Sequence, residues 1–274
     1  MERKKTMERA KSILPAGKQW KLVWNDEFEG TELDRTKWDF RLHMMQQRHS
    51  AWIEDEGISL NGDSSVLFHL VKKDGEFYSS QLQTGANFMD RPSEKPYTGK
   101  FRWPIGALAK PKFLKKYGYF ECRCKFQKQP GWWSAFWLQS PTIGATIDPG
   151  QSGVEVDIME NFKRNGEYSH NMYWGGYGEN KASGHSGPKF IAPDKINDWH
   201  IFAVDWSPEG YVFYVDGQET WRFDQAVSHT EQFILLTTEC QSYRYDGKAS
   251  DEWKSAVLPD CFEVDFVRVY DQVK

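Results

Sequence analysis

The segment Gly153-Val154-Glu155-Val156-Asp157-Ile158-Met159-Glu160-Asn161 packs three acids into six residues among Val, Ile and Met. Val154, Val156 and Ile158 alternate with Glu155 and Asp157, the period of two that marks a β-strand with one face in a core. On such a strand Glu155 and Asp157 project to the same face and crowd like charges together. Glu160 breaks the alternation, because Met159 should occupy that face. A β-bulge at Ile158–Met159 inserts one extra residue and turns Glu160 back towards the other two acids, and bulges are frequent beside active sites. The alternatives are a solvated acidic strand and a calcium site.

Outward from this segment the chain continues as strands. WKLVW (20–24), SVLFHLVKK (65–73), EFYSSQLQTG (76–85), YGYFECRCKFQ (117–127) and AFWLQS (135–140) alternate apolar and polar residues or are rich in β-formers. HIFAVDWS (200–207), YVFYVDGQ (211–218), FILLTTEC (233–240) and FEVDFVRVY (262–270) do the same. Pro130-Gly131, Pro208-Glu209-Gly210, Asp216-Gly217 and Asp246-Gly247 supply turns between them. Helical periodicity does not last beyond a turn or two outside residues 1–17, which read as a short basic helix or arm ended at Pro15–Gly17. Many strands at short spacing predict an all-β antiparallel sandwich. Its first and last strands, near WKLVWNDEF and VDFVRVY, are expected to meet and close one domain over 19–274, preceded by an arm over 1–18.

With 274 residues the chain is long enough to bury a full core without disulfides or structural metals. Its 39 acidic and 35 basic residues give a net charge of −4 without a basic block, so a nucleic-acid partner is not expected. No apolar run reaches the length of a membrane span. The N-terminal MERKKTMERAKSILPAGK lacks the apolar core of a signal peptide, which leaves the location open between cytoplasm and export with a removed leader. Cys122 and Cys124 flank one residue and face the same way on a strand, a pair too strained for a disulfide, and with Cys240 and Cys261 they match no zinc spacing. Free, buried thiols are expected. The chain holds 13 Trp, 12 Tyr and 18 Phe despite a mean hydropathy of −0.72. So many rings in a polar chain suggest a ring-lined surface for sugar faces; the plainer reading is packing within sheets.

Three carboxyl groups held together cannot ionise independently, so their proton affinities are driven apart. Cleavage of a glycosidic bond with retention needs that pairing: an ionised nucleophile and a protonated acid about 5–5.5 Å apart. Glu155 is then the nucleophile, Glu160 the acid/base, and Asp157 the group between them that hydrogen-bonds the nucleophile and helps set its charge.

GVEVDIMEN fits the E-x-D-x-x-E signature of glycoside hydrolase family 16, which includes laminarinases, agarases and porphyranases. LVWNDEFEGTELDRTKW resembles that family's first strand and turn, and YGYFECRCKFQKQPGWWSAFWLQS its YG-x-x-E…W-x-A-x-W segment. HIFAVDWSPEGYVFYVDG resembles its late hairpin and VDFVRVY its final strand, so the likeness covers about residues 20–271. The resemblance implies a concanavalin-like β-jelly-roll whose concave sheet is a cleft for a β-linked polysaccharide or oligosaccharide, cleaved internally. It implies the same roles for Glu155, Asp157 and Glu160.

The resemblance also supplies candidate substrate-binding residues. Trp133 and Trp137 match W-x-A-x-W; Trp133 reads as a sugar-stacking platform, Trp137 as either cleft or core. His170, in the run that ends Tyr173-Trp174-Gly175-Gly176, matches a histidine on the strand after the catalytic one and is expected beside the acid/base, with Trp174 also carried as substrate-binding. Glu239 in LLTTEC matches a glutamate on a late concave strand of several members and is expected to bind a sugar hydroxyl. Arg48, His49 and Trp52 form a polar–aromatic cluster that either walls the cleft or is plain loop. Asp265 matches an aspartate that holds a structural calcium in some members, although no Asp-rich loop supports calcium from the sequence itself; no cofactor is otherwise required. The stretches 84–112, 141–152 and 174–190 read as long loops unlike the common laminarinase pattern. With Glu239 and the insertion GATIDPGQSG they incline the reading towards β-galactans of the agar or porphyran type over β-1,3-glucans. A monomer is expected. The rivals are a non-catalytic lectin-like binder, which loss of either glutamate would mark, and a transglycosylase, which differs only in the acceptor.

Overall fold

The computed structural model describes residues 9–40, 54–87, 110–162, 165–240 and 254–273. In chain order the strands are β1 (Gln19–Asp26), β2 (Asp39–Phe40), β3 (Ile58–Leu60), β4 (Val66–His69), β5 (Val71–Lys73), β6 (Glu76–Tyr78), β7 (Gln81–Gln83), β8 (Gly118–Lys125) and β9 (Trp132–Gln139). They continue as β10 (Glu155–Asn161), β11 (Glu167–Trp174), β12 (Ala182–His185), β13 (Lys189–Phe190), β14 (His200–Ser207), β15 (Gly210–Val215), β16 (Gln218–Phe223), β17 (Phe233–Cys240) and β18 (Cys261–Val273). Two one-turn helices, α1 (Glu54–Gly57) and α2 (Pro149–Ser152), complete the described elements. None of the described helices is long and apolar enough to cross a membrane.

Two antiparallel sheets carry the fold. One runs β16-β15-β14-β8-β18-β4-β3, with β1 also paired to β18; the other runs β12-β11-β10-β9-β17-β7-β2, with β13 paired to β11. The first and last strands meet as expected, from Gln19 opposite Val273 to Asp26 opposite Val267. Asp26 stabilises the turn that follows: its carboxylate accepts from the Phe28 amide (3.1 Å) and from the fully buried Trp38 indole (2.7 Å). This gives NDEF…KW a structural reason.

The alternating residues of both sheets fill the space between them. Phe120, Cys122, Cys124, Phe202, Val204 and Val267 come from one sheet, and Phe136, Leu138, Val156, Ile158, Met172 and Ile234 from the other. Among the described residues, Trp38 and Trp206 are fully buried in this core, and Trp132 is buried in a smaller cluster with Leu70 and Phe77. Cys122 and Cys124 are free thiols in this core and Cys261 is free and half-buried; burial pushes the thiols of Cys122 and Cys261 up, the latter to about 11.

Several turns obey the residues that announced them. Asp216 and Gly217 both take positive φ (50° and 77°), the two-residue type I′ geometry that joins β15 to β16. Residues 9–15 form no helix and lie against the outside of the first sheet. There the Tyr119 hydroxyl donates to the Ile13 carbonyl (2.9 Å), and Arg268 reaches the Ala10 carbonyl (3.0 Å) and Glu27 (2.7 Å). The stretch 174–190 is not a long loop, since it holds β12 and β13.

Asp265 stands at a register shift in β18, and its carboxylate is occupied. Arg123 Nη1 donates to one oxygen at 2.6 Å and Ser64 Oγ to the other at 3.2 Å. Calcium needs six to eight oxygens around a space free of cations. The guanidinium beside Asp265 supplies the positive charge itself, and no group of three or more acidic, His or Cys side chains converges among the described residues. These residues do not fit the calcium expected from the resemblance.

Candidate active site

The bulge predicted from Glu160 is present. On β9, Trp137 and Phe136 are consecutive; their β10 partners are Asp157 and Met159, so two residues of β10 span one of β9 at Ile158–Met159. The pairing with β11 shifts at the same place, between Asp157 and Glu160. As a result Ile158 and Met159 both enter the core, and Glu160 emerges opposite Ala135, beside Asp157 opposite Trp137. Glu155 precedes them with its carboxylate on Gln139, the next residue of the same β9 face.

His170 holds the bulge from behind. Its Nδ1 lies 2.7 Å from the Ile158 carbonyl and its Nε2 2.8 Å from Thr220 Oγ1. The ring is fully buried between the sheets, packed on Phe213, with Trp221 stacked farther out. Burial lowers its proton affinity to a pKa of about 4, so it is neutral and donates through Nδ1 to the carbonyl. His170 was expected at the substrate beside the acid/base. It faces the other way, because β11 alternates without a bulge and Tyr168, His170 and Met172 all face the core. Trp174 follows the same alternation and packs on Phe223 instead of the cleft.

The opposite face of β11 carries Ser169, Asn171 and Tyr173. Asn171 is paired with Asp157, and its Nδ2 donates to Glu160 Oε2 and to Ser169 Oγ (3.0 Å). Its Oδ1 lies 2.8 Å from Nδ1 of His185, the residue opposite it on β12. On the nucleophile side, Gln139 Nε2 (3.0 Å) and the Tyr177 hydroxyl both donate to Glu155 Oε2, and Asn87 Nδ2 donates to Gln139 Oε1. Gly153 leads into this strand with φ of 84°, where a Cβ would lie 2.2 Å from Cβ of Ser140. Only glycine suits that approach.

The floor continues across β9 and β17. Ala135, Trp137, Phe233 and Leu235 form a small cluster with Leu114, separate from the inter-sheet core. Trp137 is buried and its indole donates to Thr237 Oγ1 (3.1 Å), which puts it in the floor of the site face. Trp133 is half-buried, opposite Glu239 on β17, with its ring 4.9 Å from that of Phe162. Glu239 accepts from Gln81 Nε2 (3.2 Å). Thus Glu155, Asp157, Glu160, Trp133, Trp137 and Glu239 share one face, while His170 and Trp174 do not. Arg48, His49 and Trp52 lie outside the described residues. The sequence reading missed Gln139, Asn171, Tyr177 and His185. Gln139 was within reach, since it continues the alternation of Trp133, Ala135 and Trp137.

Residues 64–257 match the family model described as Glycosyl hydrolases family 16. The chain is 25% identical over 278 residues to glucan endo-1,3-beta-glucosidase A1 of Niallia circulans, covering 94% of this chain and 39% of that protein. It is 28% identical over 284 residues to a beta-glucanase of Rhodothermus marinus, covering 93% and 86%. A keratan-sulfate endo-1,4-beta-galactosidase of Sphingobacterium multivorum is 25% identical over 270 residues, covering 92% and 55%. The chain thus spans less than two thirds of the first and third of these relatives. The solved laminarinase from Flavobacterium sp. UMI-01 has the same fold, with a TM-score of 0.65 at 18% identity over 92% of this chain and 100% of that one.

Proposed function

The chain belongs to glycosyl hydrolase family 16, and from that premise we propose that it is a retaining endo-hydrolase of internal β-glycosidic bonds. The bulge at Ile158–Met159 carries this reading, because without it Glu160 would point away from Glu155 and Asp157. Glu155, as carboxylate, attacks the anomeric carbon while the bond to the leaving oxygen breaks and Glu160 passes its proton to that oxygen. A glycosyl ester of Glu155 results. Glu160, now ionised, takes a proton from water, whose oxygen displaces Glu155 and regenerates both groups.

The surroundings support these roles. Donors to a carboxylate favour its ionised form, and Glu155 receives two, from Gln139 and Tyr177. Asp157, between the two glutamates, helps set the charge of the nucleophile. Trp133, half-exposed beside Glu239, is suited to stack on a sugar face while the carboxylate takes a hydroxyl.

The substrate is a β-linked backbone of glucose or galactose units, the chemistries named for the similar glucanases and galactosidase. Laminarin, mixed-linkage glucan, agarose, porphyran and κ-carrageenan, each digested and its products sized, test this. Internal cutting of one of them to oligosaccharides is expected. No cleavage of any, or release of single sugars from the chain end, would overturn the reading; transfer products in place of reducing ends would favour a transglycosylase.

A further inference from the structure

We propose that His185, on the edge strand β12, is a positioning residue that acts through Asn171 to fix the proton of Glu160 on Oε1. The proposal rests on the reading of Glu160 as the acid/base.

Three observations carry it. His185 is directly opposite Asn171 in the sheet, and its Nδ1 is 2.8 Å from Asn171 Oδ1. Asn171 turns its other end to the site, where Nδ2 donates to Glu160 Oε2. The histidine is itself held, with Nε2 3.0 Å from Ser183 Oγ and its ring edge-on to Tyr173 at 5.5 Å.

A carboxamide is nearly symmetric in shape and very asymmetric in chemistry. Facing Glu160 with nitrogen, Asn171 requires a lone pair on the carboxyl oxygen; facing it with oxygen, it requires a proton there. Rotation by half a turn exchanges the two at little steric cost. The Nδ1–H of His185 can donate only to Oδ1, so it holds the amide with its nitrogen towards Glu160. Oε2 is then an acceptor throughout the cycle, and the proton that Glu160 gives to the leaving oxygen and recovers from water resides on Oε1. A neutral His185 must accordingly be the Nδ1–H tautomer, with Nε2 accepting from Ser183. The charged and titratable groups on the same face of the described elements are Glu155 and Asp157 on β10, Tyr173 on β11 and Glu239 on β17. Tyr177 stands at Glu155, and Lys181 lies against the Tyr173 ring.

The test uses the full chain without substrate, so its outcome is separate from whether any polysaccharide is cut. Nitrogen NMR on the wild type reads the His185 tautomer; carbon NMR follows the Glu160 carboxyl through a pH titration in wild type, His185→Phe, Asn171→Ala and the double variant. The expected result is Nδ1–H in the neutral ring. In His185→Phe, Glu160 becomes an acid weaker by about 3- to 10-fold, a part of the worth of one hydrogen bond to the charged form, because the freed amide keeps its nitrogen towards Glu160 for some of the time. Asn171→Ala weakens it by at least as much, and the double variant matches Asn171→Ala because the histidine acts only through the amide. An Nε2–H tautomer, an unchanged Glu160 titration in His185→Phe, or additive effects in the double variant would overturn the proposal; the tautomer reading needs no variant to fold.

Discussion

Replacing His170 with Phe keeps a ring of similar size against Phe213 and Trp221 while removing both nitrogens. The Ile158 carbonyl then loses its partner 2.7 Å away, and Thr220 loses one as well. A buried acceptor left unmatched costs about 1–3 kcal/mol, so the variant should be about 2–3 kcal/mol less stable at pH 7. For a chain of this size that is a fall in Tm of roughly 5–10 °C. The pH dependence makes the test specific. Unfolded, His170 binds a proton near its ordinary pKa of 6.5; folded, burial lowers that to about 4. Between these values the unfolded state holds more protons, so the wild type loses stability as pH falls from about 6.5 to 4, by about 3 kcal/mol at 1.36 kcal/mol per pH unit. The Phe variant lacks this loss, and its deficit should close as pH approaches 4. Urea unfolding of both proteins at pH 7, 6, 5 and 4 measures this, and other acids cancel in the difference. The bulge that aims Glu160 also loses its support, so kcat should fall about 10- to 100-fold, the usual cost of a small misplacement of reacting groups. A deficit constant from pH 7 to 4, with unaltered kcat, would refute the argument that a neutral His170 holds the bulge.

Glu155→Gln and Glu160→Gln should each fold normally, by circular dichroism and Tm, with turnover lowered by about 10³-fold or more; near-normal turnover of either would remove its role. Trp133→Ala should weaken substrate binding by about 1–3 kcal/mol with little change in Tm, as calorimetry would measure, whereas unfolding without a separate binding defect would make Trp133 a core residue. A chelator should leave Tm unchanged, because Arg123 rather than a metal neutralises Asp265; a fall in Tm reversed by added calcium would contradict that.

The two sheets were legible because long strands such as β8, β9, β14 and β17 alternate clearly, and the bulge was legible because Glu160 violates that alternation. Strands β2, β3, β12 and β13, of two to four residues, are too short for a period to appear and owe their conformation to longer neighbours. His170 and Trp174 were assigned to the cleft by likeness of sequence, yet counting by twos from Asn171, the partner of Asp157, sends both into the core. That count needs the β10–β11 register, which a bulge makes uncertain before the structure is known. Tyr177 reaches Glu155 from outside any strand, so no periodicity could announce it.

On the proposed reading, Glu155 and Glu160 act on opposite sides of one bond in a double displacement. Proton NMR of the anomeric signals, recorded early on any polysaccharide that is cut, decides between this and direct attack by water. Retaining pairs stand about 5–5.5 Å apart, which leaves no room for a water between nucleophile and sugar; if Glu155 and Glu160 act as such a pair, the first product carries the β-anomer before mutarotation mixes the two. An α-anomer appearing first would mean that one carboxylate activates water directly, and the roles of both glutamates would fall with it.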